Sequence, residues 1–174
     1  MELHEGIALI RHKSLSSSGA QQWADLGCGA GFFTEALASL LSAESTIYAV
    51  DKSAPLPQKQ ITAGRVAIEP LRTDFVRNEL PFRDLDGILM ANSLHYVKEQ
   101  LAFLQKARRY LKPDHHFLIV EYDIERANPW VPYPLNYRLL QKLFTQAGYH
   151  TITKLQERAP VRGFDKMYAA LMTS

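Results

Sequence analysis

The sequence predicts an α/β fold: one doubly wound, mainly parallel sheet with helices on both faces, in a single domain over residues 1–174. Three observations carry this. Short runs of strand character alternate with stretches of helical periodicity from residue 23 to residue 144, and such alternation builds parallel sheets. Asp25, Asp51, Asp74 and Asn92 fall at or beside the carboxyl ends of those runs, the edge where open α/β sheets bind ligands. The last two runs have no helical stretch between them, so they pair antiparallel.

In chain order, Ile7, Leu9 and Ile10 sit among polar residues and predict one short helix over residues 5–12. Residues 14–19, rich in Ser and closed by Gly19, are a loop. Residues 23–26 are a short, mostly apolar run that suits a buried parallel strand. Gly27, Gly29 and Gly31 then alternate. They let the backbone turn sharply and approach a ligand without Cβ clashes. A helix starting near Gly31 aims its free N–H groups back at that turn. A dinucleotide fingerprint fails here, because its last glycine position falls on Phe32 or Thr34. The pattern is D-x-G-x-G-x-G with Asp25 ahead of the glycines. An acid beside the turn suits a ligand with an ammonium group better than a pyrophosphate. The alternative is a tight turn required only for packing.

Phe33, Leu37, Leu40 and Leu41 continue at helical spacing. Residues 46–50 form a second strand ending at Asp51, and Pro55 and Pro57 forbid a long helix after it. A short helix is expected near residues 58–62. Residues 66–72 read as a third strand containing Pro70, hence an edge strand, with Asp74-Phe75 behind it. Residues 85–90 are a fourth strand that runs into Asn92-Ser93-Leu94-His95-Tyr96. Val97, Leu101, Leu104 and Leu111 mark a helix ended by Lys112-Pro113-Asp114. Residues 117–120 are continuously apolar, so this strand is central and ends in Glu121. A proline-rich loop over residues 128–134 precedes a helix through Leu139, Leu140, Leu143 and Phe144, which Gly148 stops. The final strands lie near residues 149–155 and 166–171.

Composition narrows the function. The chain has 174 residues, 47% hydrophobic, enough for one substantial core. A net charge of +2 implies no strong attraction to nucleic acid or an anionic membrane. A single cysteine, Cys28, excludes an internal disulfide and a multi-cysteine metal site, and His4, His12 and His150 lack metal-ligand spacing. His115 and His116 point to opposite faces of a strand. No apolar run approaches the ~20 residues of a membrane helix, and no secretory signal is visible, so a cytoplasmic protein is expected.

The glycine run resembles motif I of the class I S-adenosylmethionine-dependent methyltransferases, whose first strand ends in an acid followed by G-x-G-x-G. The likeness covers residues 22–122. It implies a Rossmann-like methyltransferase domain with a seven-stranded sheet of order 3-2-1-4-5-7-6, the last strand antiparallel. It implies S-adenosyl-L-methionine as cofactor and S-adenosyl-L-homocysteine as product. The cofactor would be held by Asp25, Gly27, Gly29 and Gly31, by Asp51 at the ribose, by Lys52, by Asp74 and Phe75 at the adenine, and by Asn92 beside the methionine and sulfonium; the alternatives are a solvent-facing strand end or turn cap at Asp51 and an Asx turn with a core Phe at Asp74-Phe75. The stretch after Asn92 lacks an acid-or-Asn–Pro–Pro–aromatic run, which argues against methylation of DNA amino groups. Ser93 to Val97 and the later Leu-Lys-Pro look like the broad small-molecule group typified by ubiquinone- and sterol-type enzymes.

Methyl transfer needs a base only when the acceptor is protonated. His95 is the candidate, expected at a helix start whose dipole keeps the imidazole neutral; the alternative is a histidine that only packs. The loop after the central strand carries Trp130 and Tyr133 and is expected beside the acceptor, with packing of Trp130 on the sheet as the alternative. The expected partner is a small-molecule acceptor. The rival reading is a catalytically silent cofactor-binding subunit. The short segment before the first strand leaves room for a homo-oligomer or a partner subunit to complete the acceptor pocket.

Overall fold

The computed structural model describes residues 1–16, 19–53, 60–61, 65–159 and 166–174. Its strands are β1 (Gln22–Leu26), β2 (Thr46–Asp51), β3 (Gln60–Ile61), β4 (Ala67–Arg72), β5 (Leu85–Ala91), β6 (Leu111–Tyr122), β7 (Thr151–Arg158) and β8 (Met167–Thr173). They form one sheet of order β3-β4-β2-β1-β5-β6-β8-β7. Apart from the two-residue β3, the order is the predicted 3-2-1-4-5-7-6. The strands from β4 to β6 run parallel, and β8 is antiparallel to both β6 and β7.

Among the described residues, four α-helices flank the sheet: α1 (Leu3–Ile10), α2 (Phe32–Ala38), α3 (Gln100–Ala107) and α4 (Tyr137–Gln146). Successive strand residues serve opposite layers, as the period of two requires. Ile88, Met90, Phe117 and Ile119 pack with Phe103, Leu104, Leu140 and Phe144 of α3 and α4. Leu89, Leu118 and Val120 pack with Leu9, Ile10, Phe33 and Leu37 of α1 and α2. Both faces are therefore buried, which is why the central strands read as continuous apolar runs. Trp23 is fully buried in the second layer and fills the space above Gly87, where a Cβ would lie 2.4 Å from its ring.

Three expectations change. Gln60 and Ile61 form a strand, not a helix, because they pair with the open edge of β4 at Ile68 and Ala67; residues 58, 59 and 62 lie outside the described residues. Among the described residues that pairing involves Ala67 and Ile68, not Pro70. The helix expected to reach Leu111 ends at Ala107, continues as a 3₁₀ turn over Arg108–Tyr110, and hands over to β6 at Leu111. Lys112-Pro113-Asp114 therefore lies inside a strand, in the irregular register between Leu111 and His116 where a ladder donor is not needed. Gly148 does stop α4: at φ +92 its N–H reaches Thr145 O at 3.0 Å and that of Tyr149 reaches Phe144 O at 2.9 Å. These are the paired bonds of a Schellman end.

Candidate functional site

The glycine turn joins β1 to α2 at the carboxyl edge of the sheet. Gly27, Gly29 and Gly31 have φ of +86, +51 and +85, which residues with a Cβ adopt only under strain. The N–H groups of Gly27 and Cys28 both reach Val50 O, at 2.8 and 3.1 Å, and that of Gly29 reaches Asp51 Oδ2 at 3.0 Å. The turn is thus fastened to the end of β2. A Cβ on Gly27 would lie 2.5 Å from Ser93 Cβ, whereas one on Gly29 would meet nothing within 4 Å. Gly27 is needed for packing; Gly29 faces open space.

A cavity of about 440 Å³ opens beside this turn. Among its lining residues are Gly27, Asp51, Lys52, Asp74, Phe75 and Asn92, six of the ten predicted site residues. Asp25, Gly29, Gly31 and His95 are outside that lining. Gly31 begins α2, its carbonyl accepting from Glu35 N at 2.9 Å. Asp25 is buried beneath the turn: Oδ2 accepts from Thr34 Oγ1 at 2.6 Å, and Oδ1 has no hydrogen-bond partner. Burial, reinforced by Asp51 and opposed by the Thr34 bond, pushes its carboxyl up to about 7.

The two acids that do line the cavity also brace their own loops. Asp51 accepts from Gly29 N through Oδ2 and from Ser53 N, at 2.8 Å, through Oδ1. Asp74 Oδ1 accepts from Val76 N and Arg77 N at 3.0 and 3.1 Å, an Asx turn. Its Oδ2 lies 3.7 Å from Arg77 Nε. Phe75 packs on Phe103 of α3 at 5.6 Å between ring centres and lies close to Gly27. Asn92 holds φ +52, a strained value tolerated by asparagine, and its buried Oδ1 has no partner. Ser93 Oγ donates to Leu26 O at 2.6 Å and ties the end of β5 to the end of β1.

His95 lies in a 3₁₀ turn over Leu94–Tyr96, not at the start of a helix, since α3 begins at Gln100. Its electrostatic partner is a carboxylate rather than a helix dipole. Glu121, the penultimate residue of β6, is fully buried and grips His95 twice. Oε1 accepts from the His95 backbone N–H at 3.1 Å, and Oε2 lies 2.6 Å from Nδ1. Burial pushes the Glu121 carboxyl up, and the bonds from His95 oppose that. With Nδ1–H donating to Glu121, Nε2 is the acceptor nitrogen. Tyr96, which lines the cavity, stacks at a tilt on His95 at 4.4 Å between ring centres. The sequence reading singled out His95 and gave Glu121 no role; a carboxylate directly behind the apolar run of residues 117–120 was the available signal.

The proline-rich loop is tied to the same segment. Tyr133 N–H donates to His95 O at 3.0 Å, and Gln100 Nε2 bridges the carbonyls of Leu94 and Tyr133. Trp130 does not pack on the sheet: it is 75% exposed, on a turn braced by Asn128 Oδ1. Among the described residues, no group of three or more His, Cys, Asp or Glu side chains could hold a metal ion, and no helix is long and apolar enough to cross a membrane.

Comparison with known proteins bears on this edge. A family model described as a methyltransferase domain matches residues 24–119, from β1 through most of β6. No curated protein matches the sequence. Among solved structures, a methyltransferase of Burkholderia thailandensis superposes with a TM-score of 0.72 at 19% identity, covering 99% of this chain and 77% of that one. That enzyme is a 1,6-didemethyltoxoflavin-N1-methyltransferase, solved with 1,6-didemethyltoxoflavin and S-adenosylhomocysteine bound. A SAM-dependent methyltransferase of Aquifex aeolicus superposes at 0.63 with 18% identity, over 99% of this chain and 98% of that one. A possible histamine N-methyltransferase of Thermotoga maritima gives 0.67 at 16% identity, over 98% and 88%. At these identities the superpositions speak for the fold, and the family match speaks for descent: the chain belongs to the methyltransferase-domain family, with the Rossmann-like sheet of its class I, S-adenosylmethionine-dependent members.

Proposed function

We propose that this chain moves the methyl group of S-adenosylmethionine to a small-molecule acceptor that must lose a proton, and that the His95–Glu121 pair takes it. The observation that carries this is the buried carboxylate on His95 Nδ1 at 2.6 Å, at the sheet edge that holds the cavity. A packed histidine needs no buried acid, and the cost of burying Glu121 is offset here by bonds that both end on His95. Glu121 fixes the ring's orientation and its tautomer, leaving Nε2 to accept.

The residues present fit the cofactor. A cavity of about 440 Å³ is within the range for small-ligand sites. Each Asp51 oxygen accepts one backbone N–H and keeps a lone pair for a ribose hydroxyl. Asp74 keeps Oδ2 for the adenine amine, and Phe75 borders the base. The orphaned Asn92 Oδ1 is an acceptor awaiting a donor at the methionine end. When bound, S-adenosylmethionine supplies a methyl group already activated by its sulfonium. The protein's part is to align the acceptor, exclude water and hold the proton. The Burkholderia enzyme, named for a small heterocyclic acceptor, supports an acceptor of that size.

Incubation with labelled S-adenosylmethionine and pooled metabolites tests the reading. The expected outcome is label on a compound with an acidic O–H, N–H or C–H. His95→Gln should then lose turnover while keeping cofactor affinity. An acceptor methylated equally fast by His95→Gln would remove the base from the account.

A further inference from the structure

The connection from β4 to β5 is twelve residues long, 73–84, and contains no helix or strand. Its first part carries Asp74 and Phe75, and long irregular loops of this kind need something to hold them. Here α3 does so. Phe103 packs its ring against that of Phe75. Lys106, three residues on and so on the same helix face, reaches back to the loop backbone. Its Nζ donates to the carbonyls of Phe75, Val76 and Asn78 at 3.3, 3.0 and 2.6 Å. All three ammonium protons are thereby spent on one loop. Just beyond, Tyr110 Oη accepts from Leu80 N and donates to Glu79 Oε2, extending the same seam.

We infer that Lys106 is a positioning residue of the adenine site. This rests on the proposed placement of adenine at Asp74 and Phe75. A cation on the carbonyls of residues 75, 76 and 78 holds this segment in the curve that lets the Val76 and Arg77 N–H groups donate to Asp74 Oδ1. That grip fixes Oδ2 as the oxygen left for the adenine amine. Without the ammonium, three carbonyls lose their donor, and the Asx turn competes with other loop conformations. Lys106 touches neither cofactor nor acceptor in this scheme. It acts through the loop, so its loss weakens recognition of the base rather than the chemical step.

The test uses S-adenosylhomocysteine and S-inosylhomocysteine, which replaces the amine by a carbonyl that Asp74 would repel. Calorimetry on the intact chain should show that wild type prefers the adenosyl compound. Lys106→Met keeps the stem and removes the charge. It should bind S-adenosylhomocysteine about tenfold more weakly, with the preference over the inosyl compound shrinking toward none. Lys106→Arg, which keeps a cation in place, should retain the preference. Thermal unfolding establishes that each variant is folded; if Lys106→Met is not, Lys106→Gln replaces it under the same criteria. Equal affinity of wild type for the two compounds overturns the adenine placement and the proposal with it. A preference that survives loss of the charge overturns the role of Lys106 alone.

Discussion

Each end of the sheet holds a buried histidine, and the two are wired differently. At the carboxyl edge, His95 gives Nδ1 to the buried carboxylate of Glu121. At the amino edge, His115 places Nδ1 against the carbonyls of Lys112 and Pro113, at 2.6 and 2.9 Å, and Nε2 2.6 Å from Tyr149 Oη. Since Nδ1 must donate to carbonyls, Nε2 accepts from the tyrosine hydroxyl, and both nitrogens are satisfied by neutral groups. Tyr149 is packed edge-on against Phe117 and Phe144 in the same corner. His115 is a packed, hydrogen-bonded core residue. His95 is backed instead by a buried acid, the arrangement on which the proposed proton transfer rests. Burial and residue type are the same; the partner decides the job.

Three substitutions separate those jobs. Glu121→Gln keeps the shape of the carboxyl-edge pair and removes its charge. Turnover on an identified acceptor should fall by about 10²-fold while affinity for S-adenosylhomocysteine holds; kinetics at saturating cofactor reads this. Tyr149→Phe leaves His115 Nε2 without its donor. It should cost about 1–3 kcal/mol of stability in a urea titration and leave turnover alone. The smallest effect is one of pH. Burial holds the His115 imidazole below its ordinary range, against the pull of the two carbonyls, so folding favours the neutral ring. Its contribution is complete above the unfolded value of ~6.5 and is lost as pH falls through the folded value. Wild type should therefore lose its stability advantage over His115→Gln on acidification from about pH 7 to pH 5, by no more than about 1.4 kcal/mol per pH unit. An advantage that grows with acid would mean that His115 is charged in the fold.

Much of this was legible in the chain. The central strands announced themselves as apolar runs because both faces are covered, and Gly148 ended α4 because only a left-handed residue closes that turn. Of the acids at the strand ends, Asp51 and Asp74 do line the cavity at the carboxyl edge, while Asp25 lies outside that lining. What stayed hidden needed a partner distant in sequence. Glu121 looks like any strand-end acid until β5 and β6 align and His95 turns onto it. Lys106 reads as the solvated face of an amphipathic helix until the β4–β5 loop comes beneath it. Asp74 offered two readings, a ligand to adenine or an Asx turn, and its Oδ1 makes the turn while Oδ2 takes no part in it. β3 escaped because two residues carry no periodicity; the free edge of β4 recruits them.

The proposed cofactor site is the carboxyl edge of the sheet, with Asp51 at its middle. Calorimetric titration of Asp51→Ala with S-adenosylhomocysteine, beside Tyr149→Phe as a control at the opposite edge, tests it most directly. The account predicts a loss of about 1.5–3 kcal/mol of binding for Asp51→Ala, the worth of hydrogen bonds to a charged acceptor, and none for the control. A folded Asp51→Ala protein that binds as tightly as wild type would contradict it.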